Sequence, residues 1–291
     1  MRLIACAAAL ALVGVSAPDS RSHDLSVPDV GWRESSAGVE RAVFDVSGGG
    51  EGWRTRVITV RLDPSRVRFR LRARLRDLTP AWDVERAPAG AVVAVNAGQF
   101  SGYAPWGWLV MDGKEVRSPG HGPLAAALAW DRAGRVRWID DLGDTRMDAG
   151  IVEAIQSYPT LIGADGQVPS AIRRPGQGVD VEHRDGRLAI GTTGDGRVLI
   201  ALTRFNGLGA LSPDVPFGLS LEEMANVMRA LGCRRAVSLD GGISAQLLVR
   251  ESGRTLVWRG WRPVPLGLVA EPVQSDRSPH DPPGAPHVVT E

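Results

Sequence analysis

The sequence predicts an α+β fold: mixed, largely antiparallel β-sheets with a few packed helices in a single domain. Three observations predict it. Short apolar runs closed by Gly, Asp and Asn turns recur along the chain, one segment alternates between apolar residues and arginines, and one segment carries a capped amphipathic helix. The 291 residues allow one domain with a sizeable core, and the hydrophobic (43%) and charged (23%) fractions are those of an ordinary globular protein.

Residues 1–17 have the form of a signal peptide. Arg2 starts it, residues 3–15 are apolar, and Val15, Ser16 and Ala17 make a small-residue cleavage site. The run is too short to span a bilayer, so no stable membrane span is expected after its removal, and the mature chain is expected to be periplasmic or secreted. Removal leaves Cys233 as the sole cysteine, which excludes an intramolecular disulfide; it reads as a buried, inert thiol. Residues 18–38 read as a linker.

Residues 39–46 and 53–62 read as strands separated by Gly48, Gly49 and Gly50. Then Val67, Phe69, Leu71, Ala73 and Leu75 alternate with Arg66, Arg68, Arg70, Arg72, Arg74 and Arg76, the pattern of a strand with one apolar and one charged face. Residues 79–86 read as a short helix and 91–95 as a buried strand. Hairpins are expected about Asp112-Gly113, between 124–130 and 135–139, and about Gly194-Asp195-Gly196. Residues 151–156 read as helical. The clearest helix is 221–231, where Ser220 and Glu223 form a capping box and Gly232 follows as a stop. Residues 236–239 form a strand ending at Asp240, and residues 272–291 read as a disordered Pro-rich tail.

The net charge of +1 gives no global attraction to nucleic acid, and no nucleic-acid partner is expected. Lys114 is the only lysine. Arginine forks suit carboxylates and phosphates, although most surface arginines only keep a face in water. No zinc-type cluster, nucleophile elbow or phosphate loop is present.

Two strand ends carry polar residues followed by glycines, where a backbone can approach a ligand: Asn96 before Ala97-Gly98, and Asp240 before Gly241-Gly242. Turn chemistry explains either one alone. Arg187, between the Asp185-Gly186 turn and an apolar strand, can aim a guanidinium at a phosphate or pair with an acidic neighbour. Asp180 and Glu182 could supply acid–base groups but read more simply as a solvated rim, with His183 exposed beside them.

In order, the segments Asn96-Ala97-Gly98-Gln99-Phe100, Pro159-Thr160-Leu161, Arg187-Leu188-Ala189-Ile190-Gly191 and Leu239-Asp240-Gly241-Gly242-Ile243-Ser244, then Arg262-Pro263-Val264-Pro265, resemble the phosphodiester glycosidase family over about residues 92–269. The chain departs from the family pattern at Gln99, Leu188 and Ile243. The resemblance implies one catalytic domain over 39–271 and hydrolysis of a sugar-1-phosphodiester at the anomeric carbon. On that reading Asp240 is the catalytic carboxylate, Arg187 a bidentate phosphate clamp, and Asn96 a hydrogen-bonding partner of sugar or phosphate. Gly98, Gln99, Gly241, Gly242 and Ser244 then line the substrate site. No cofactor is required, and a divalent cation beside Asp240 is left open. The partner is a phosphoglycan or sugar-1-phosphodiester; the oligomeric state is not specified. The rival is a non-catalytic envelope receptor that stacks sugars on Trp106 and Trp108, which share a face if their segment is a strand.

Overall fold

The computed structural model describes residues 27–47, 54–76, 79–140, 142, 150–176, 179–181, 183–205 and 218–273. The signal peptide, residues 18–26 of the linker, Glu182 and the tail beyond 273 lie outside the described residues. Among the described residues no helix is long and apolar enough to cross a membrane.

The architecture is mostly β, with antiparallel pairing between neighbouring strands. The largest sheet has seven strands, in the order Arg33–Ser36, Val39–Ser47, Arg54–Leu62, Val198–Phe205, Leu188–Thr193, Cys233–Leu239, Thr160–Ile162. A second sheet has five: Arg254–Trp258, Leu247–Glu251, Val93–Asn96, Leu266–Pro272, Val67–Ala73. A third has Lys114–Arg117, Leu109–Met111, Ile151–Ser157, Ala126–Asp131, Val136–Ile139. The expected hairpins about residues 112–113, 131–135 and 194–196 form.

Period-two burial distributes the side chains. In the seven-stranded sheet Ile58, Ile190, Ile200 and Val237 point to the main core, where they meet Val95, Leu247 and Leu268 of the second sheet and Leu128 and Ile155 of the third. Their neighbours Val57, Ala189, Leu199 and Ala236 point the other way, to the helix Leu221–Ala230. That helix lays Met224, Ala225 and Met228 on the sheet, and its capping box forms as expected. The alternating segment becomes the strand Val67–Ala73, with Val67, Phe69 and Leu71 buried.

Several expectations are corrected. The chain is not an α+β fold with several helices: the described residues hold one α-helix and short 3-10 turns. Residues 151–156 form a central strand rather than a helix, hydrogen-bonded to strands on both sides; the sheet partners override the local helix propensity of Glu153 and Ala154. Residues 79–86 keep only a turn at Val84–Arg86, capped by Asp83. The linker ends early, because Arg33–Ser36 pairs with Val39–Ser47 and Trp32 stacks under the Arg61 guanidinium at 4.3 Å. Cys233 is buried as expected, and burial pushes its thiol up to about 12.

The arginine face is not simply solvated. Arg70 lies 3.5 Å from the carboxylate of Glu153, which is 1% exposed and accepts a 3.3 Å bond from the Leu71 N–H. Burial outweighs these partners and raises Glu153 to about 7. A carboxyl whose folded pKa is raised stabilises the fold fully below its unfolded value of 4.5, and that contribution is lost as pH rises through about 7. At about 1.36 kcal/mol per unit the swing is on the order of 3 kcal/mol. Glu153→Gln should therefore gain in melting temperature relative to the parent as pH goes from 4.5 to 8. A difference that stays flat across that range would contradict the assignment.

Candidate active site

The site forms where the seven-stranded sheet meets the second sheet. Strands Leu188–Thr193 and Cys233–Leu239 pair with Leu188 opposite Leu239, so one step further Arg187 stands opposite Asp240. The strand Val93–Asn96 arrives from the other sheet, and the Asp240 N–H donates to the Gly98 carbonyl at 2.9 Å. The result is a cavity of about 440 Å³ whose lining includes Gln99, Asp180, Asp185, Arg187, Asp240 and Gly241. His183 lines it too, so its imidazole, though exposed, belongs to the site rather than to an incidental rim.

Asp240, Asp185 and Arg187 are the perturbed groups that line this space. Burial raises the Asp240 carboxyl above the ordinary aspartate range; the Ser244 hydroxyl and the Arg262 guanidinium pull it back, and the Asp185 charge adds to the rise. One carboxylate oxygen, Oδ2, is buried without a hydrogen bond, with Arg262 Nη2 3.8 Å away. Ser244, 1% exposed, accepts a 3.0 Å bond from Arg262 Nε, so it orients Asp240 from behind rather than lining the cavity. Asp185 is also raised by burial, against the pull of Arg187 and His183.

Arg187 is held rigidly. Its Nε donates to the Leu219 carbonyl at 2.7 Å, Nη2 donates to the His183 carbonyl, and its backbone N–H donates to Thr203 Oγ1. Burial pushes its pKa below the ordinary arginine value, with Asp185 the largest opposing influence. The Nε–Nη2 edge is thus consumed by backbone carbonyls, which corrects the expectation of a bidentate clamp through that edge.

Asn96 is corrected more strongly. It is 0% exposed, its Nδ2 donates to the Asp240 carbonyl at 2.8 Å, and its Oδ1 accepts from the Gln246 N–H at 3.0 Å. It ties two strand ends together and does not face the cavity. The paired glycines also serve packing. A Cβ on Gly241 would lie 2.5 Å from the Gly186 carbonyl oxygen, and one on Gly242, at φ +54°, 2.5 Å from Asp185 Oδ2. The Gly242 N–H is spent on the Gly186 carbonyl, so it is not a free ligand donor. Gly98 contributes its carbonyl to Asp240 and is not part of the lining.

Gln99 does line the cavity, with its amide donating to the Tyr158 carbonyl at 2.9 Å. Trp106 and Trp108 do not share a face. Gly107 takes φ +79° and breaks the extended run, sending Trp108 into the core, where its indole N–H meets Glu115, while Trp106 stays half-buried near Tyr158. Sequence reasoning missed Asp185, whose Asp-Gly pair reads as an ordinary turn, and Tyr158. Among the described residues no group of three His, Cys, Asp or Glu side chains is placed to hold a metal ion.

Two half-buried aspartates beside a fixed guanidinium suit acid–base and electrostatic chemistry on an anionic ligand. Residues 89–271 match the phosphodiester glycosidase family, and the chain belongs to it. Comparison with curated protein sequences finds no match. The catalytic domain of zebrafish N-acetylglucosamine-1-phosphodiester alpha-N-acetylglucosaminidase, auto-inhibited by its pro-peptide, is similar in structure, with a TM-score of 0.60 and 19% identity over 82% of this chain and 85% of that one. A hypothetical protein from Synechocystis gives 0.57 and 16%; the match covers 84% of this chain but only 64% of that protein. A Burkholderia pseudomallei protein described provisionally as exported gives 0.53 and 17% over 76% and 74%. At these identities the likeness is one of fold.

Proposed function

We propose that the chain hydrolyses a sugar-1-phosphodiester of the N-acetylglucosamine-1-phosphodiester type at the anomeric carbon, acting after export on envelope or extracellular phosphoglycans. The observation that carries this reading is the shared cavity of Asp240 and Arg187 in a chain of the phosphodiester glycosidase family. The departing phosphate monoester is already anionic, so it needs charge stabilisation more than protonation. Arg187, pinned through Nε and Nη2, offers that charge from a fixed position and retains Nη1 for a phosphate oxygen. The ionised Asp240 activates water or attacks the anomeric carbon. Export agrees with the signal-like residues 1–17.

The test is release of free sugar from an N-acetylglucosamine-1-phosphodiester, with and without a chelator. Binding without release would make the protein a receptor; loss of turnover on chelation would restore a cation to the site. In an active enzyme, Arg187→Ala should lower kcat/KM by about 10²–10³ on the phosphodiester and far less on a neutral aryl glycoside. Equal losses on both would remove Arg187 from the phosphate.

A further inference from the structure

The alternating arginines of the strand Val67–Ala73 play no part in the catalytic cavity. That strand is the outer one of the second sheet, paired on one side with Leu266–Pro272. Its other edge faces the third sheet, where the Leu71 N–H donates to the Glu153 carboxylate. A cavity of about 250 Å³ opens there. Its walls include Arg68, Phe69 and Arg70 from the strand and Trp130 and Arg132 from a hairpin of the third sheet. Among the described residues, this cavity and the catalytic one share no wall.

Its donors converge and are only partly spent. The Arg68 guanidinium packs on Gly134, where a Cβ would come within 2.5 Å of Nη1, and the same Nη1 donates to the Pro64 carbonyl at 3.3 Å. Arg70 is held more loosely, with Nη1 3.5 Å from Glu153 and 3.9 Å from Asp112. A guanidinium carries five N–H donors, so most of that fork remains for a ligand. Val67 and Leu71 send their N–H groups off the outer edge, to the Asp63 carbonyl and to Glu153. By the period of two, the Phe69 N–H points off the same edge. The indole of Trp130 stacks on Phe69 with centroids 5.1 Å apart, and its N–H is buried without a hydrogen-bond partner. The acids of the wall cancel little of this charge. Asp131 gives both carboxylate oxygens to Arg135, and Asp112 is 76% exposed, where water and salt screen it.

We propose that this cavity is a second anion site, which takes a single oxyanion group: a sulfate, phosphate or carboxylate. The forks of Arg68 and Arg70 hold the group from the strand, and Arg132 meets it from the hairpin turn. The site stands whether or not the chain is a glycosidase. Glu153 couples it to pH. The charged groups acting on that carboxyl are Asp112 from the neighbouring hairpin and Arg70 from the strand. Burial raises Glu153 to about 7, so below that value it is neutral and leaves Arg70 to the ligand. Above it the carboxylate competes for Arg70, and anion affinity falls.

The experiment titrates sodium sulfate, whose charge is constant between about pH 6 and pH 8, into the protein at fixed ionic strength. NMR follows the Phe69 and Gly134 amides and the Trp130 indole N–H, which report on this cavity and not on the catalytic one. The three signals should shift together and saturate, with affinity about ten-fold higher at pH 6 than at pH 8. Arg70→Gln should weaken binding about ten-fold at pH 6, and so should Arg132→Gln, which lies on an exposed turn where folding is not at stake. Glu153→Gln should bind equally at both pH values. Trigalacturonate that saturates the same signals more tightly than sulfate would assign the oxyanion to an acidic glycan; weaker binding would assign it to a free ion. Shifts that grow without saturating, or an affinity that neither arginine substitution changes, would mean an adventitious ion only and overturn the site. Equal affinity of the parent at both pH values would overturn the coupling to Glu153.

Discussion

Asp240→Asn should abolish turnover while the protein remains folded. The substitution keeps the shape of the side chain but removes the charge that either a base or a nucleophile requires, and a loss on the order of 10³-fold or more in kcat is expected. Stability should move the other way. Burial raises the Asp240 pKa, so the carboxyl favours the fold below its unfolded value, and that contribution is lost as pH rises through the folded value. At neutral pH the buried charge opposes folding and the amide does not. The variant should therefore melt at or above the parent temperature at pH 7, with a smaller advantage at pH 4. The same raised pKa should place the acid limb of the parent's kcat/KM profile above the ordinary aspartate value of about 4. Because the Asp185 charge contributes to the rise, Asp185→Asn should move that limb toward lower pH. An Asp240→Asn protein that melts normally and still turns over would end the assignment.

Asn96→Ala should show the opposite pattern, a loss of stability first and of activity as its consequence. Removing the side chain leaves the Asp240 carbonyl and the Gln246 N–H without their partners in a buried setting. The expected cost is about 2–5 kcal/mol, or a fall in melting temperature of roughly 5–15 °C for a domain of this size. A direct sugar contact predicts something else: a raised KM with an unchanged melting temperature. Calorimetry of the purified variant alongside steady-state kinetics separates the two roles.

The contrast between these residues shows what local pattern reveals. Asn96 and Asp240 look alike in the sequence, each a polar residue closing an apolar strand before glycines. The signal marks a place where two backbones come close, and it marks that place correctly in both cases. It does not say which side chain faces outward. That depends on the strand across the gap: the second sheet turns Asn96 inward onto the Asp240 carbonyl, while Asp240 keeps its carboxyl on the cavity. Gly241 does line the cavity, but Gly242 does not: its N–H is spent on the Gly186 carbonyl, and both glycines let the Asp185-Gly186 turn pack against them. Residues 151–156 failed for a related reason, since a run buried on both faces carries no period of its own and takes its form from its neighbours.

The sequence by itself determined the antiparallel strands with their alternating faces, the capped helix, the turns, the buried thiol and the ordered motifs of the family. These follow from short-range physics, in which side-chain period, capping and turn chemistry act within a few residues. Only the tertiary structure decided which charges share a cavity, that the guanidinium of Arg187 is already half engaged by carbonyls, and that Arg68 and Arg70 meet Arg132 around a second cavity. Those contacts join residues tens of positions apart, and their energies depend on burial and register, which exist only once the sheets have assembled.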